Sequence, residues 1–245
     1  MKSLAALALL LASAVVQAQP ITVSNPVSTS FGDFFDGTPG TFQWNIGYAY
    51  SFPADSTGFD YAFNLRGDVT AQMTGTATFF GFNGAVGFTL TTGAAPVQLS
   101  DITVSFNGKE VVSGGSAASF TARNVFQASL NAPSFGYDFV VVHYLPERTA
   151  SGVFIDEVTF LQPSTLLAAN TDYTLFLGVG PTLSIDSYPP TSSLLGYALE
   201  FGGTVAPWLD GLTVSFTAQP VPEPASLLML GAGVAALLAR RRRAG

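Results

Sequence analysis

The chain has no cysteine, a single histidine and little positive charge. No disulfide can staple it, so its stability has to come from packing, and thiol catalysis and cysteine-based metal sites are excluded. His143 is the lone imidazole. One histidine cannot supply the several His or Cys ligands that zinc sites use. As a general base it would need a nucleophile and an orienting acid, and the chain has no Gly-x-Ser-x-Gly elbow. A satisfied histidine at a strand end is the simpler reading. Between Gln19 and Pro220 the basic residues are Arg66, Lys109, Arg123 and Arg148, four against fifteen acidic ones, so this stretch carries −11 while the whole chain carries −7. Such a surface repels phosphate backbones and argues against a nucleic-acid partner.

Long apolar runs occur only at the two ends. Lys2 precedes an apolar run from Leu4 to Val16, followed by Val16-Gln17-Ala18. A short apolar core ending in small residues at the −3 and −1 positions has the form of a secretory signal peptide. Cleavage by signal peptidase is expected after Ala18, leaving residues 1–18 as the leader. The other end has three parts. Pro220-Val221-Pro222-Glu223-Pro224 is stiff and continues neither strand nor helix. The uncharged run Ala225–Ala239 follows, 15 residues or about 22 Å of helix at 1.5 Å per residue, against roughly 30 Å of bilayer hydrocarbon. Snorkelling arginine stems and a thin membrane recover part of that shortfall. Arg240, Arg241, Arg242 and Arg243 would hold this end in the cytoplasm.

Pro222-Glu223-Pro224, the short apolar helix with Gly231, Ala232 and Gly233, and the terminal arginines together resemble the PEP-CTERM sorting signal. The same type of tail is also called an ice-binding protein C-terminal region, a label from which no ice-binding activity follows. The resemblance covers residues 220–245. It implies an exosortase partner, a membrane transpeptidase-like enzyme that cuts near the Pro-Glu-Pro and releases or re-anchors the protein. It also implies a Gram-negative host that makes exopolysaccharide. The expected route is export, transient anchoring in the inner membrane, then the cell surface or the extracellular matrix, with exopolysaccharide as a potential neighbour.

Residues 19–219 hold all 31 aromatic side chains, 21 of them Phe, enough for a sizeable core. In Thr41–Phe52, Phe42, Trp44, Ile46, Tyr48, Tyr50 and Phe52 alternate with small or polar residues. That period of two puts the large rings on one face of a strand. Ile102-Val104-Phe106, Tyr173-Leu175-Leu177-Val179 and Leu212-Val214-Phe216 repeat the pattern. Phe139-Val140-Val141-Val142 is apolar on both faces and reads as a central buried strand. Turn signals fall at Asp36–Gly40, Asn83-Gly84, Asn107-Gly108, Ser113–Gly115 and Tyr188–Pro190, with Asn107-Gly108 read as a hairpin turn. The expectation is an all-β body, a single jelly-roll or Ig-like β-sandwich, flanked by a signal helix and a C-terminal transmembrane helix.

Phe31, Asp33 and Phe35 fit the Phe-x-Asp-x-Phe pattern of one PEP-CTERM subgroup, with Asp60-Tyr61-Ala62-Phe63 as another placement. Leu166–Leu175 is similar to that subgroup's late turn and Tyr-Thr-Leu strand. The subgroup has no assigned activity.

Several residues invite a chemical reading. Asp33, Asp36 and the backbone of Gly37-Thr38 offer the oxygen ligands that calcium takes, as do Asp156-Glu157 and Asp55 with Asp60. None matches an EF-hand, and turn aspartates commonly cap the local backbone. No cofactor is otherwise expected. Paired carboxylates are what a glycosidase needs, but fifteen carboxylates bring some pair into range by chance. Arg66-Gly67-Asp68 spells an adhesive tripeptide and reads more simply as a hairpin turn. Trp44, Tyr48 and Tyr50 have the ring faces for sugar stacking, yet the same alternation builds a core strand. The body is therefore expected to be non-enzymatic. A carbohydrate-active hydrolase and a calcium-dependent carbohydrate-binding module remain the alternatives.

Overall fold

A computed structural model describes residues 19–24, 28–36, 41–51, 59–73, 79–114, 119–133, 136–187, 195–204 and 206–221. The leader, Ala18, Pro222-Glu223-Pro224 and Arg240–Arg243 lie outside the described residues, as do residues 37–40, Asp55 and residues 188–190. The described chain is all-β. Its strands are β1 (Ile21–Val23), β2 (Ser28–Asp36), β3 (Thr41–Ser51), β4 (Asp60–Met73), β5 (Phe79–Thr92), β6 (Val97–Gly114) and β7 (Ser119–Asn131). They continue with β8 (Tyr137–Tyr144), β9 (Gly152–Leu161), β10 (Thr165–Leu167), β11 (Asp172–Ser187), β12 (Leu195–Phe201) and β13 (Gly211–Pro220).

Two antiparallel sheets form. In the first, β1 and β2 share one edge of β5, and β11, β7 and β8 follow in order. In the second, β3 pairs with β4, β12 and β13 lie end to end between β4 and β6, and β9 and β10 share the outer edge of β6. The period-two segments are why one core serves both sheets. Ile102, Val104 and Phe106 on β6, Leu212, Val214 and Phe216 on β13, and Leu175, Leu177 and Val179 on β11 are all buried in a single cluster. The sheets meet through rings: Phe63 and Phe88 have centroids 5.1 Å apart, as do Phe106 and Phe126. Tyr48 and Tyr50 of β3 meet Phe88 edge-on at 5.9 and 5.7 Å, so they face the opposite sheet.

Four expectations are corrected. Asn107-Gly108 is not a hairpin turn but the middle of β6, paired on one side with Gly211 and on the other with Glu157 and Asp156. Asn83-Gly84 lies inside β5 in the same way, between β2 and β11. In both cases a Phe two residues earlier folds its ring over the glycine. A Cβ on Gly108 would sit 2.6 Å from the Phe106 ring, and one on Gly84 2.8 Å from the Phe82 ring. These glycines are sites where an aromatic ring occupies the side-chain space, a use of strand glycine that composition does not separate from a turn.

Arg66-Gly67-Asp68 is likewise no hairpin. It lies within β4, with Gly67 opposite Phe201 of β12 and Ile46 of β3, and Asp68 is buried. The Phe139–Val142 run is an edge strand, pairing with β7 alone among the described strands. Its second apolar face, Val140 and Val142, is about half exposed at 48% and 50%.

Replacing Gly108 by alanine should force the Phe106 ring aside and destabilise the body by about 1–3 kcal/mol. Chemical denaturation measures this, and an unchanged midpoint would remove the ring-over-glycine account.

Candidate functional site

Two regions gather polar function. The first is a buried ionic cluster between the sheets. Alternation on β6 turns Glu110 inward after Phe106, and it is only 1% exposed. A carboxylate there needs a cation. Arg148, in the link from β8 to β9, provides it. Its Nε lies 3.1 Å from Glu110 Oε2, and one terminal nitrogen lies 2.5 Å from Asp156 Oδ1 on β9. The guanidinium also stands over the Phe154 ring at 4.3 Å. The Arg148 backbone faces the other way, exchanging two 2.8 Å hydrogen bonds with Ala122 of β7. A single residue thus ties the first sheet by its main chain and the second by its side chain. Beside it the buried Tyr197 hydroxyl of β12 donates to Asn124 Oδ1 of β7 at 2.7 Å, a further bond between sheets.

The electrostatics follow from burial. Desolvation pushes the Glu110 carboxyl above its ordinary range, with the Arg148 hydrogen bond pulling it partly back. Burial, then the neighbouring Glu110 charge, holds the Tyr197 hydroxyl well above the usual tyrosine range. Glu110 and Asp156 are therefore two carboxylates clamped on one guanidinium, with neither left open to a substrate. Glu157, the neighbour of Asp156, is exposed on the opposite face of β9, so this pair does not converge on one ion.

The second region is one pole of the body. The four-residue link 93–96 carries the chain from β5 in the first sheet to β6 in the second. Its first residue holds the N-terminal end: Gly93 N–H donates to Pro20 O at 3.2 Å. Its last holds the C-terminal end: Val221 N–H donates to Pro96 O at 2.8 Å. The link 168–171 crosses alongside, with Asn170 N–H on Gly93 O at 2.8 Å. Buried Thr92 joins the two links. Its Oγ1 lies 2.7 Å from Ala168 O and accepts the Thr171 N–H at 2.9 Å. Asn170 takes a φ of 48°, which turns the chain into β11, and Tyr173 Oη accepts the Ala168 N–H at 2.8 Å. The Leu166–Leu175 segment quoted above therefore builds this pole.

The remaining sequence candidates are dispersed. His143 faces inward between the Phe126 and Phe160 rings, at 5.3 and 5.1 Å. Phe31, Asp33, Phe35 and Asp36 all lie on β2. Asp60 accepts from Thr217 Oγ1 at 2.7 Å. Among the described residues no three His, Asp or Glu side chains come together as metal ligands, and no helix is long and apolar enough to cross a membrane. A 450 Å³ depression on the outer face of the second sheet is lined by Gln43, Thr70, Gln72, Val111, Ser113 and Gly196, among others. Its lining holds no carboxylate. Sequence reasoning missed the Arg148 cluster and the pole. The scarcity of cations was the available signal for the first. Beyond the turn at Asn170 that leads into β11, nothing local signals the second, because topology joins it from chemically plain residues far apart in sequence.

Residues 220–243 match the family model of the PEP-CTERM protein-sorting motif. The motif implies export, a tail anchored in the membrane before processing, and processing by an exosortase. No curated protein sequence matches the chain. Among the solved structures that resemble it weakly are two viral ones. One is the enzymatically active domain of tailspike protein 4 of bacteriophage CBA120, 9% identical, with 80% of this chain and 20% of that one covered at a TM-score of 0.16. The other is infectious bursal disease virus, Gx strain, 10% identical, with 82% and 44% covered at a TM-score of 0.17. The chain spans less than half the length of either, and likeness at this level carries no argument.

Replacing Arg148 by methionine should cost about 3–5 kcal/mol at neutral pH, since it leaves Glu110 buried without its cation. Glu110 titrates above its unfolded value, so the folded state holds its proton more tightly. Stability at this site is therefore greatest below the ordinary glutamate range and falls as pH rises through the raised value. Unfolding curves across pH should show that slope in the wild type and lose it in Glu110→Gln. An identical pH dependence in the two proteins would contradict the assignment.

Proposed function

We propose that the protein is an exported cell-surface or exopolysaccharide-matrix component, delivered through its C-terminal sorting signal, whose body is a non-enzymatic β-sandwich. The observation that carries this reading is the sorting motif at residues 220–243, which begins on the last residue of β13. Delivery then proceeds by signal-peptide cleavage after Ala18, anchoring of Ala225–Ala239 in the inner membrane with Arg240–Arg243 in the cytoplasm, and exosortase processing near Pro222–Pro224.

Successive connections from β4 to β7 alternate between the sheets, which favours a jelly-roll arrangement over an Ig-like one. The non-enzymatic reading draws on the fate of the candidate groups. Among the described residues the most deeply buried carboxylate, Glu110, is committed to Arg148, and His143 is packed between two rings. The depression on the outer face of the second sheet is lined by amide, hydroxyl and small side chains with Val111, suited to shallow contact with a hydrated polymer. The −11 body disfavours direct contact with acidic polysaccharide.

Mass spectrometry of the surface fraction should find a new C-terminus near Pro222–Pro224 only in cells that contain an exosortase. Recovery of an intact Arg240–Arg243 tail from that fraction would sink the sorting reading.

A further inference from the structure

Both ends of the exported body are fastened to the same four-residue link. Pro20 is held by Gly93, two residues beyond the expected leader cleavage site, and Val221 is held by Pro96, one residue before the Pro-Glu-Pro. The two segments destined for the membrane therefore leave from one pole.

The tether to the tail is short. At about 3.6 Å per residue, Pro222–Pro224 cannot stand more than about 11 Å from Val221. Nor does the last strand fray freely to lengthen it. β13 pairs with β6 as far as Pro220 and with β4 as far as Thr217, while Val214, Phe216 and Ala218 are buried. Any enzyme whose active site closes on Pro222–Pro224 must therefore come against the pole itself.

The surface there suits such an approach. Residues 93–96, 161–164 and 168–171 include no charged side chain, although the body as a whole is strongly acidic. Leu161, Leu166 and Tyr137 are 79%, 57% and 65% exposed along the same end. Exposed Asp172 and Asp60 border these links, and the uncharged, partly apolar surface between them costs little to desolvate against a protein.

We infer that the pole formed by residues 93–96 and 168–171 is a docking surface for the exosortase, so that the enzyme reads the folded body together with the tail. This rests on the sorting function proposed above. The pole acts through steric fit on a short tether: bulk or charge placed on it holds the enzyme away from Pro222–Pro224.

The test uses the full chain in an exosortase-containing host, following conversion of the anchored precursor to the processed form. Ala94→Glu combined with Ala168→Glu should slow conversion at least tenfold, with the protease-resistance pattern of the body unchanged. Inserting ten Gly/Ser residues between Val221 and Pro222 should restore the double variant to within about twofold of the wild type, since such a linker adds roughly 15–20 Å of flexible reach. A photo-crosslinker at Ala94 should join the precursor to the exosortase, whereas one at Gln72 on the outer sheet face should not. Normal conversion of the double variant, slow conversion that the linker does not relieve, or adducts to lipid alone would each overturn the inference. If the wild type itself is not converted when the exosortase is present, the sorting function fails, and the docking surface with it. Wild-type conversion with an unaffected double variant removes the docking surface only.

Discussion

Ring packing between the two sheets is the interaction on which the rest of this body depends. Without disulfides, each sheet is held to the other by what its inner face buries. Phe63 against Phe88 anchors one end of the core, with Tyr50 and Phe216 around them. Phe106 against Phe126 anchors the other, with Phe160, Phe201 and His143 around them. Polar bonds then fix the register of one sheet over the other. Tyr61 Oη donates to Ile21 O at 3.0 Å near the pole that holds Pro20 and Val221, and Tyr197 to Asn124 does so beside the ionic cluster. Buried bonds of this kind contribute about 1 kcal/mol each to stability, less than the burial of a single Phe. Their main effect is to select one alignment of two otherwise greasy faces.

Positive charge is scarce in the body, and its ion pairs differ in weight. Lys109 meets Glu200 at 2.9 Å, Arg123 meets Glu147 at 2.7 Å, and Arg148 meets both Glu110 and Asp156. Arg123 and Glu147 are half exposed, and such a pair adds little to stability. Arg148 differs because its carboxylate partners are buried and its backbone belongs to the crossing between sheets. Asp60, Asp101, Glu157, Asp172 and Asp210 remain exposed, and their charge repels other anionic polymers.

The fold class was legible because alternation holds over Ile46–Tyr50 of β3, Ile102–Phe106 of β6, Tyr173–Val179 of β11 and Leu212–Phe216 of β13, whose large residues pack on one core. The glycine signals misled, because Asn-Gly has the composition of a tight turn whether or not a neighbouring Phe ring uses the glycine's empty side. Gly84 and Gly108 are told from turn glycines only by a Phe two residues earlier. The Val140–Val142 run misled for a related reason: apolarity on both faces does not distinguish a central strand from an edge strand left exposed. The tail was the most legible part, since its proline, apolar and arginine segments act by order and composition alone. The pole was illegible, since it joins residues 20, 93, 96, 170 and 221, which are distant in sequence and chemically plain.

What sets this pole apart is that it unites the sheet crossing with both points of attachment. The link 93–96 spans from one sheet to the other, so the ends it holds are tied to the core rather than to a loose loop. The chain's lack of cysteine makes this arrangement directly measurable. Spin labels on Gln19→Cys and Val221→Cys in the full chain should report a separation within about 20 Å, the span of a four-residue link plus the label arms. A separation near the roughly 60 Å length of an 18-residue strand would place the ends at opposite poles and contradict the account.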